Sequence, residues 1–189
     1  MEGELRAFSS FVAYGLQLAS TQKSLLGSRT MIITDSDEYT RELGNRMGFE
    51  MQRNGVQPVF CTMSSPYPNH KNIEESVDLL KRTGSKSIVA IGSGAVVDTA
   101  KGIRMLAESG NRKVFTHYPF RRIVCKDVIP LISVATSNSH VHALSSYGRL
   151  HAEDDVLVKT WCRAPEVRLD FAVVRCVHFF TLNCVVDSI

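Results

Sequence analysis

No stretch of this 189-residue chain holds the roughly 18 consecutive apolar residues that a membrane-spanning helix needs. The nearest approach, Val173 to Val186, is interrupted by Arg175, His178 and Asn183. There is no C-x-x-C pair, and the five cysteines (Cys61, Cys125, Cys162, Cys176 and Cys184) are odd in number. Neither a disulfide framework nor a zinc knuckle is therefore expected, and free thiols in a reducing compartment are the simplest account. Charge of one sign is scarce too. Twenty-two Lys and Arg against 19 Asp and Glu leave +3, too mild to indicate nucleic acid or an anionic membrane as partner. The basic residues are scattered, apart from the pairs Lys81-Arg82 and Arg121-Arg122. The first residues lack a positive n-region and an apolar h-region, and Glu2 and Glu4 count against a mitochondrial presequence. The expected location is cytoplasmic, with mitochondrial left open. No internal repeat, low-complexity segment or fixed Ser-His-Asp or Cys-His arrangement is found.

What is present is a 44% hydrophobic composition, enough for one real core, arranged as short apolar runs between helical patterns. Phe8 to Tyr14 reads as a strand and Leu16 to Leu26 as a helix closed by Gly27. Met31 to Thr34 reads as a buried strand, with Asp35, Ser36 and Asp37 as cap candidates for a helix from Tyr39 to Asn54. Val56 to Thr62 is the next strand, Ser64 to Asn69 a loop, and Ile73 to Arg82 a helix stopped by Gly84. Short strands are placed at Val114 to Thr116 and Ile129 to Val134. Strands alternating with helices of about 10 or more residues predict an α/β fold, a parallel sheet with flanking helices. Such sheets bind ligands at the carboxyl ends of their strands.

The stretch richest in information runs from Ile88 to Gly102. An apolar run, Ile88 to Ile91, meets Gly92-Ser93-Gly94, and a helix pattern follows from about Ala95 to Glu108. Strand, glycine turn and helix start together gather free N–H groups and the positive dipole end at one point, which suits a phosphate.

The order Gly92-Ser-Gly-Ala-Val-Val-Asp98-Thr-Ala-Lys101 resembles the Gly-Gly-Gly-Ser-x-x-Asp-x-Ala-Lys signature of the iron-containing (group III, metal-dependent) alcohol dehydrogenases. Gly92, Gly94, Asp98, Ala100 and Lys101 match, whereas Ser93 and Ala95 stand where the pattern has Gly and Ser. The resemblance implies a Rossmann-like parallel sheet of the dehydroquinate synthase-like superfamily, residues 1–170. Residues 171–189 would begin an all-helical metal-binding domain, here truncated. Gly92, Ser93 and Gly94 would accommodate the pyrophosphate of NAD or NADP. Asp98 would lie near the turn's N–H groups or the cofactor, and Lys101 would reach a phosphate or pair with Asp98. The alternative for that pair is an ordinary i, i+3 ion pair on a surface helix. Asp35 would sit near the adenosine ribose and favour NAD by repelling a 2′-phosphate. Its alternative is to cap the following helix.

Further along, the likeness thins. Ala135-Thr136-Ser137-Asn-Ser-His140-Val-His142-Ala143 stands where the family has Pro-Thr-Thr-x-Gly-Thr-Gly-Ser-Glu, so Thr136 is retained and Ser137 is conservative. His140 and His142 could share one face of an extended segment, but no third metal ligand is fixed by spacing. Asp187 resembles the family's first ligand to a divalent metal (Fe²⁺ or Zn²⁺). The three histidines that complete that site would lie beyond Ile189. The implied activity is hydride transfer between a small alcohol or aldehyde and nicotinamide, with this chain, as a truncated half, expected to be inactive alone. Rival readings are a non-catalytic nucleotide-binding module or decayed copy, and a hydroxyacid–oxoacid transhydrogenase or dehydroquinate synthase-like enzyme. The apolar tail after Phe171 leaves a homo-oligomer or another partner surface open.

Overall fold

The computed structural model describes residues 26–109, 129–136 and 171–173. They form five parallel strands and three helices: β1 (Arg29–Thr34), α1 (Glu38–Arg53), β2 (Gln57–Thr62), α2 (His70–Thr83), β3 (Ser87–Gly92), α3 (Gly94–Ser109), β4 (Leu131–Ala135) and β5 (Phe171–Val173). The strand order is β2-β1-β3-β4-β5, and every pairing is parallel. The predicted α/β sheet is thus present. The strands placed at Phe8 to Tyr14 and Val114 to Thr116 lie outside the described residues. β5 was not anticipated as a strand. It pairs Ile132 with Phe171 and Val134 with Val173, so the sheet continues three residues past residue 170, where the sequence reading places the domain boundary.

The two-residue period of the strands sorts their side chains into two apolar layers. Met31, Ile33, Ile88, Ala90 and Leu131 pack with Ile73, Val77 and Leu80 of α2 and with Val96, Ala100 and Ile103 of α3. Ile32, Val89, Ile91, Ile132 and Val134 pack instead with Leu43, Met47 and Met51 of α1. The sheet is therefore covered on both faces, which is why β3 is buried at all six positions and reads as an unbroken apolar run. At the opposite end of the sheet from the glycine turn, the Leu26 carbonyl accepts hydrogen bonds from Thr30 Oγ1 at 2.9 Å and Ser87 Oγ at 2.7 Å, which satisfies three buried polar groups together.

Two glycines of α1 let that helix approach the sheet closely. A Cβ on Gly44 would lie 2.8 Å from Thr34 Cγ2, and one on Gly48 would lie 2.6 Å from the Phe60 ring tip. The two obstacles differ. Thr34 is buried and β-branched, hence stiff, whereas Phe60 is half exposed and its ring can swing. Replacing a helical Gly by Ala gains about 1 kcal/mol of helix propensity, and overpacking a tight contact costs about 1–3 kcal/mol. Gly44→Ala should therefore lower stability by about 1 kcal/mol, and Gly48→Ala should be neutral or slightly stabilising. Urea midpoints of the two variants test this, and a Gly44→Ala protein at least as stable as Gly48→Ala would contradict it.

Candidate functional site

Strand order β2-β1-β3 means that the chain leaves β1 toward one side of the sheet and leaves β3 toward the other. The loops diverge there and open a crevice at the carboxyl ends of β1 and β3, the switch point at which doubly wound sheets bind ligands. Asp35 follows β1, Gly92 ends β3, and Thr136 follows β4. The fold thus brings four of the sequence-predicted residues to one place: Asp35, Gly92, Ser93 and Thr136.

Gly92 has φ +149°, a conformation L side chains rarely adopt. A Cβ there would also lie 2.6 Å from Asp35 Oδ2 and 3.0 Å from Val96 Cγ2. Conformation and space therefore both demand glycine. The next residue turns its polar groups onto the same carboxylate: Ser93 N–H donates to Asp35 Oδ2 at 2.9 Å, and Ser93 Oγ–H donates to Asp35 Oδ1 at 3.1 Å. The Ser93 carbonyl accepts from Val97 N at 3.2 Å as the first turn of α3 closes, and the Gly92 carbonyl accepts from Thr136 N at 3.1 Å. Gly94 opens α3.

Asp35 and Asp37 were both cap candidates, and the structure separates them. Asp37 is the N-cap of α1, its carboxylate accepting from Thr40 N at 2.9 Å and Thr40 Oγ1 at 2.6 Å. Burial pushes its carboxyl upward, but those bonds outweigh it and hold the group below its ordinary value. Asp35 is not the cap. Its carboxylate reaches across to Ser93, 58 positions away.

Asp98 and Lys101 are not a surface ion pair. Asp98 is 2% exposed and Lys101 is 1% exposed. One turn on, Arg104 Nε donates to Glu108 Oε1 at 3.1 Å in a second pair that is equally buried, and Glu108 Oε1 also accepts from Ile129 N at 2.7 Å. α3 therefore carries a row of ionisable side chains, Asp98, Lys101, Arg104 and Glu108, along one side of a buried helix. Burial pushes the Lys101 amine down to about 8, against the opposing field of Asp98. The i, i+3 and i, i+4 spacings were visible in the sequence, but nothing local distinguishes such a row from a solvated face.

Ser137, His140, His142 and Asp187 lie outside the described residues. Among the described residues no group of three or more His, Cys, Asp or Glu could hold a metal ion, and no helix is long and apolar enough to cross a membrane. Cys61 is a free thiol, half buried beside Ser76 Oγ at 3.5 Å. Burial pushes it up, so it stays protonated and makes a poor nucleophile.

Residues 12–175 match the sequence model of the family described as iron-containing alcohol dehydrogenase. Over 121 residues the chain is 25% identical to the NAD-dependent methanol dehydrogenase of Bacillus methanolicus, an alignment that takes in 64% of this chain and 31% of that protein. The solved alcohol dehydrogenase from Oenococcus oeni superposes with a TM-score of 0.71 at 19% identity, covering 83% of this chain and 41% of its own. The sulfoacetaldehyde reductase from Bifidobacterium kashiwanohense, solved in complex with NAD⁺, superposes with a TM-score of 0.69 at 14% identity and the same coverages, 83% and 41%. At such identities the structural likeness speaks for the fold. The matched part spans about a third of the curated relative's length, 31%, and about two fifths, 41%, of each solved structure.

Proposed function

This chain belongs to the iron-containing alcohol dehydrogenase family, and from that premise we propose that it forms the nucleotide-binding half of an NAD-dependent oxidoreductase acting on a small alcohol or aldehyde. The observation that carries the proposal is the crevice between β1 and β3, where a glycine forced by space and conformation meets a carboxylate held at the start of α3. Gly92 and Gly94 admit backbone close to a pyrophosphate, and the first N–H groups of α3 face it. Thr136, bonded to the Gly92 carbonyl, brings a hydroxyl to the same edge. Asp98 and Lys101 lie buried in the helix that follows the turn. Ser137, next in sequence, is proposed as a second hydroxyl for the cofactor. Asp35 accepts from a ribose hydroxyl and repels a 2′-phosphate, so the cofactor is NAD and not NADP. Bound nicotinamide supplies the hydride acceptor. The chain's own residues bind and orient it.

The described residues do not fit the family's divalent metal, Fe²⁺ or Zn²⁺, because no three-ligand group exists among them. In the same proposal the metal belongs to a helical domain that residues after β5 begin, with Asp187 as its first ligand. The substrate class follows from the named chemistry of two relatives, both of which act on methanol.

Titration of the chain with NADH and NADPH, followed by nicotinamide fluorescence, tests the nucleotide reading. NADH should bind at least about tenfold more tightly, given the cost of a 2′-phosphate beside a carboxylate. Asp35→Ala should bring the two affinities together. Equal binding by the unaltered chain would overturn the assignment of Asp35.

A further inference from the structure

We propose that Ser93 is the positioning residue that sets the nucleotide preference, by pinning the Asp35 carboxylate through its hydroxyl. The inference rests on the reading of Asp35 as the ribose-facing group. Among the described residues, Ser93 supplies both donors that this carboxylate receives, its N–H to Oδ2 at 2.9 Å and its Oγ–H to Oδ1 at 3.1 Å. Among the described residues no ion pair is made by this carboxylate. A single N–H bond would leave the carboxylate free to rotate about that contact. Two bonds from one residue, one to each oxygen, fix its plane. Each oxygen keeps a further lone pair, and Asp35 is only half buried, so a vicinal diol can still be received on the open side.

Pinning acts on the two cofactors in opposite directions. A ribose diol gains because the side chain is already ordered when the ligand arrives. A 2′-phosphate loses because the carboxylate cannot swing aside to relieve the repulsion. Position 93 is also one of the two places where the turn departs from the glycine-rich pattern, and the departure puts a hydroxyl beside Asp35.

The test is a set of NADH and NADPH titrations of the full chain and its variants Ser93→Ala, Ser93→Thr, Asp35→Ala and the double variant. Ser93→Ala should weaken NADH and tighten NADPH, lowering the affinity ratio about three- to tenfold, the range of one charge-assisted hydrogen bond after solvent competition. Ser93→Thr, which keeps the hydroxyl, should retain the ratio. In the Asp35→Ala background the loss of the hydroxyl should leave the ratio unchanged. If Ser93→Ala weakens both cofactors equally, or shifts the ratio without Asp35, the pinning role is overturned while the ribose reading stands. If Asp35→Ala itself leaves the ratio unchanged, or the unaltered chain binds neither cofactor, the ribose reading falls and the pinning role with it.

Discussion

Gly92→Ala should cost the protein about 2–5 kcal/mol of stability and at least about 100-fold in dinucleotide affinity. Two independent penalties meet at this position. An alanine would have to hold φ +149°, which costs roughly 1–3 kcal/mol for a non-glycine residue. Its methyl would also sit 2.6 Å from Asp35 Oδ2 and 3.0 Å from Val96 Cγ2, a contact that only displacement can relieve. The carboxylate gives first, because Val96 is buried in the layer beneath α3. Moving Asp35 breaks both of its bonds to Ser93, so the structural and the binding defects share one cause. Urea unfolding and NADH titration of the same preparation would measure both. A Gly92→Ala protein of unaltered stability would show that the turn relaxes where the close contacts say it cannot.

Lys101→Met should be nearly as damaging, though methionine suits a helix and a core. The change leaves the Asp98 carboxylate buried without its neighbouring cation, and breaking one side of a buried charge pair costs about 3–5 kcal/mol. For a chain of this size that corresponds to a drop in Tm on the order of 10 °C. Lys101→Met combined with Asp98→Asn removes both charges and should recover most of the loss. Lys101 also predicts a pH dependence. Its folded pKa is about 8 and its ordinary value is 10.5. Below 8 the amine is protonated in both states and the cost of burying its charge is fully present. Between 8 and 10.5 the unfolded chain holds the proton that the folded chain has released, so stability rises with pH, by up to about 1.4 kcal/mol per unit. The difference between the unaltered chain and Lys101→Met at pH 7.5 and pH 10 isolates this contribution from other titrating groups. A gap that fails to widen in favour of the unaltered chain at the higher pH would contradict it.

The parts of the molecule that were legible in the sequence are those with local causes. The run from Ile88 to Ile91 and the helix after Gly94 follow from periodicity, and the αL cap at Gly84 follows from its lack of a side chain. The parts that were not legible depend on contacts between distant segments. Asp35 and Asp37 are equally good caps on paper, and only the approach of Ser93 assigns them different tasks. Asp98 and Lys101 carry charges at a spacing normal for a wetted helix, and their burial comes from what packs over α3. Gly44 and Gly48 look like weaknesses in a helix until the sheet is in place. β5 is three residues long, too short for periodicity to register, and is recognised by its pairing with β4.

The order of the strands also sets a clock. β1 pairs with β2 at a distance of 28 residues and with β3 at 57, so the middle of the sheet waits for chain that has yet to be made. At a synthesis rate of about 5–20 residues per second, Asp35 emerges on the order of 3–12 s before Ser93, 58 residues later. Thr136 follows later still. A nucleotide that binds at this crevice therefore binds only chains whose central strands have already joined, and at 100 times its Kd it would favour them by about 2.7 kcal/mol. In a cell rich in cofactor, occupancy of the crevice would hold β1, β3 and β4 together once they have joined, favouring chains with an assembled sheet centre over those without one.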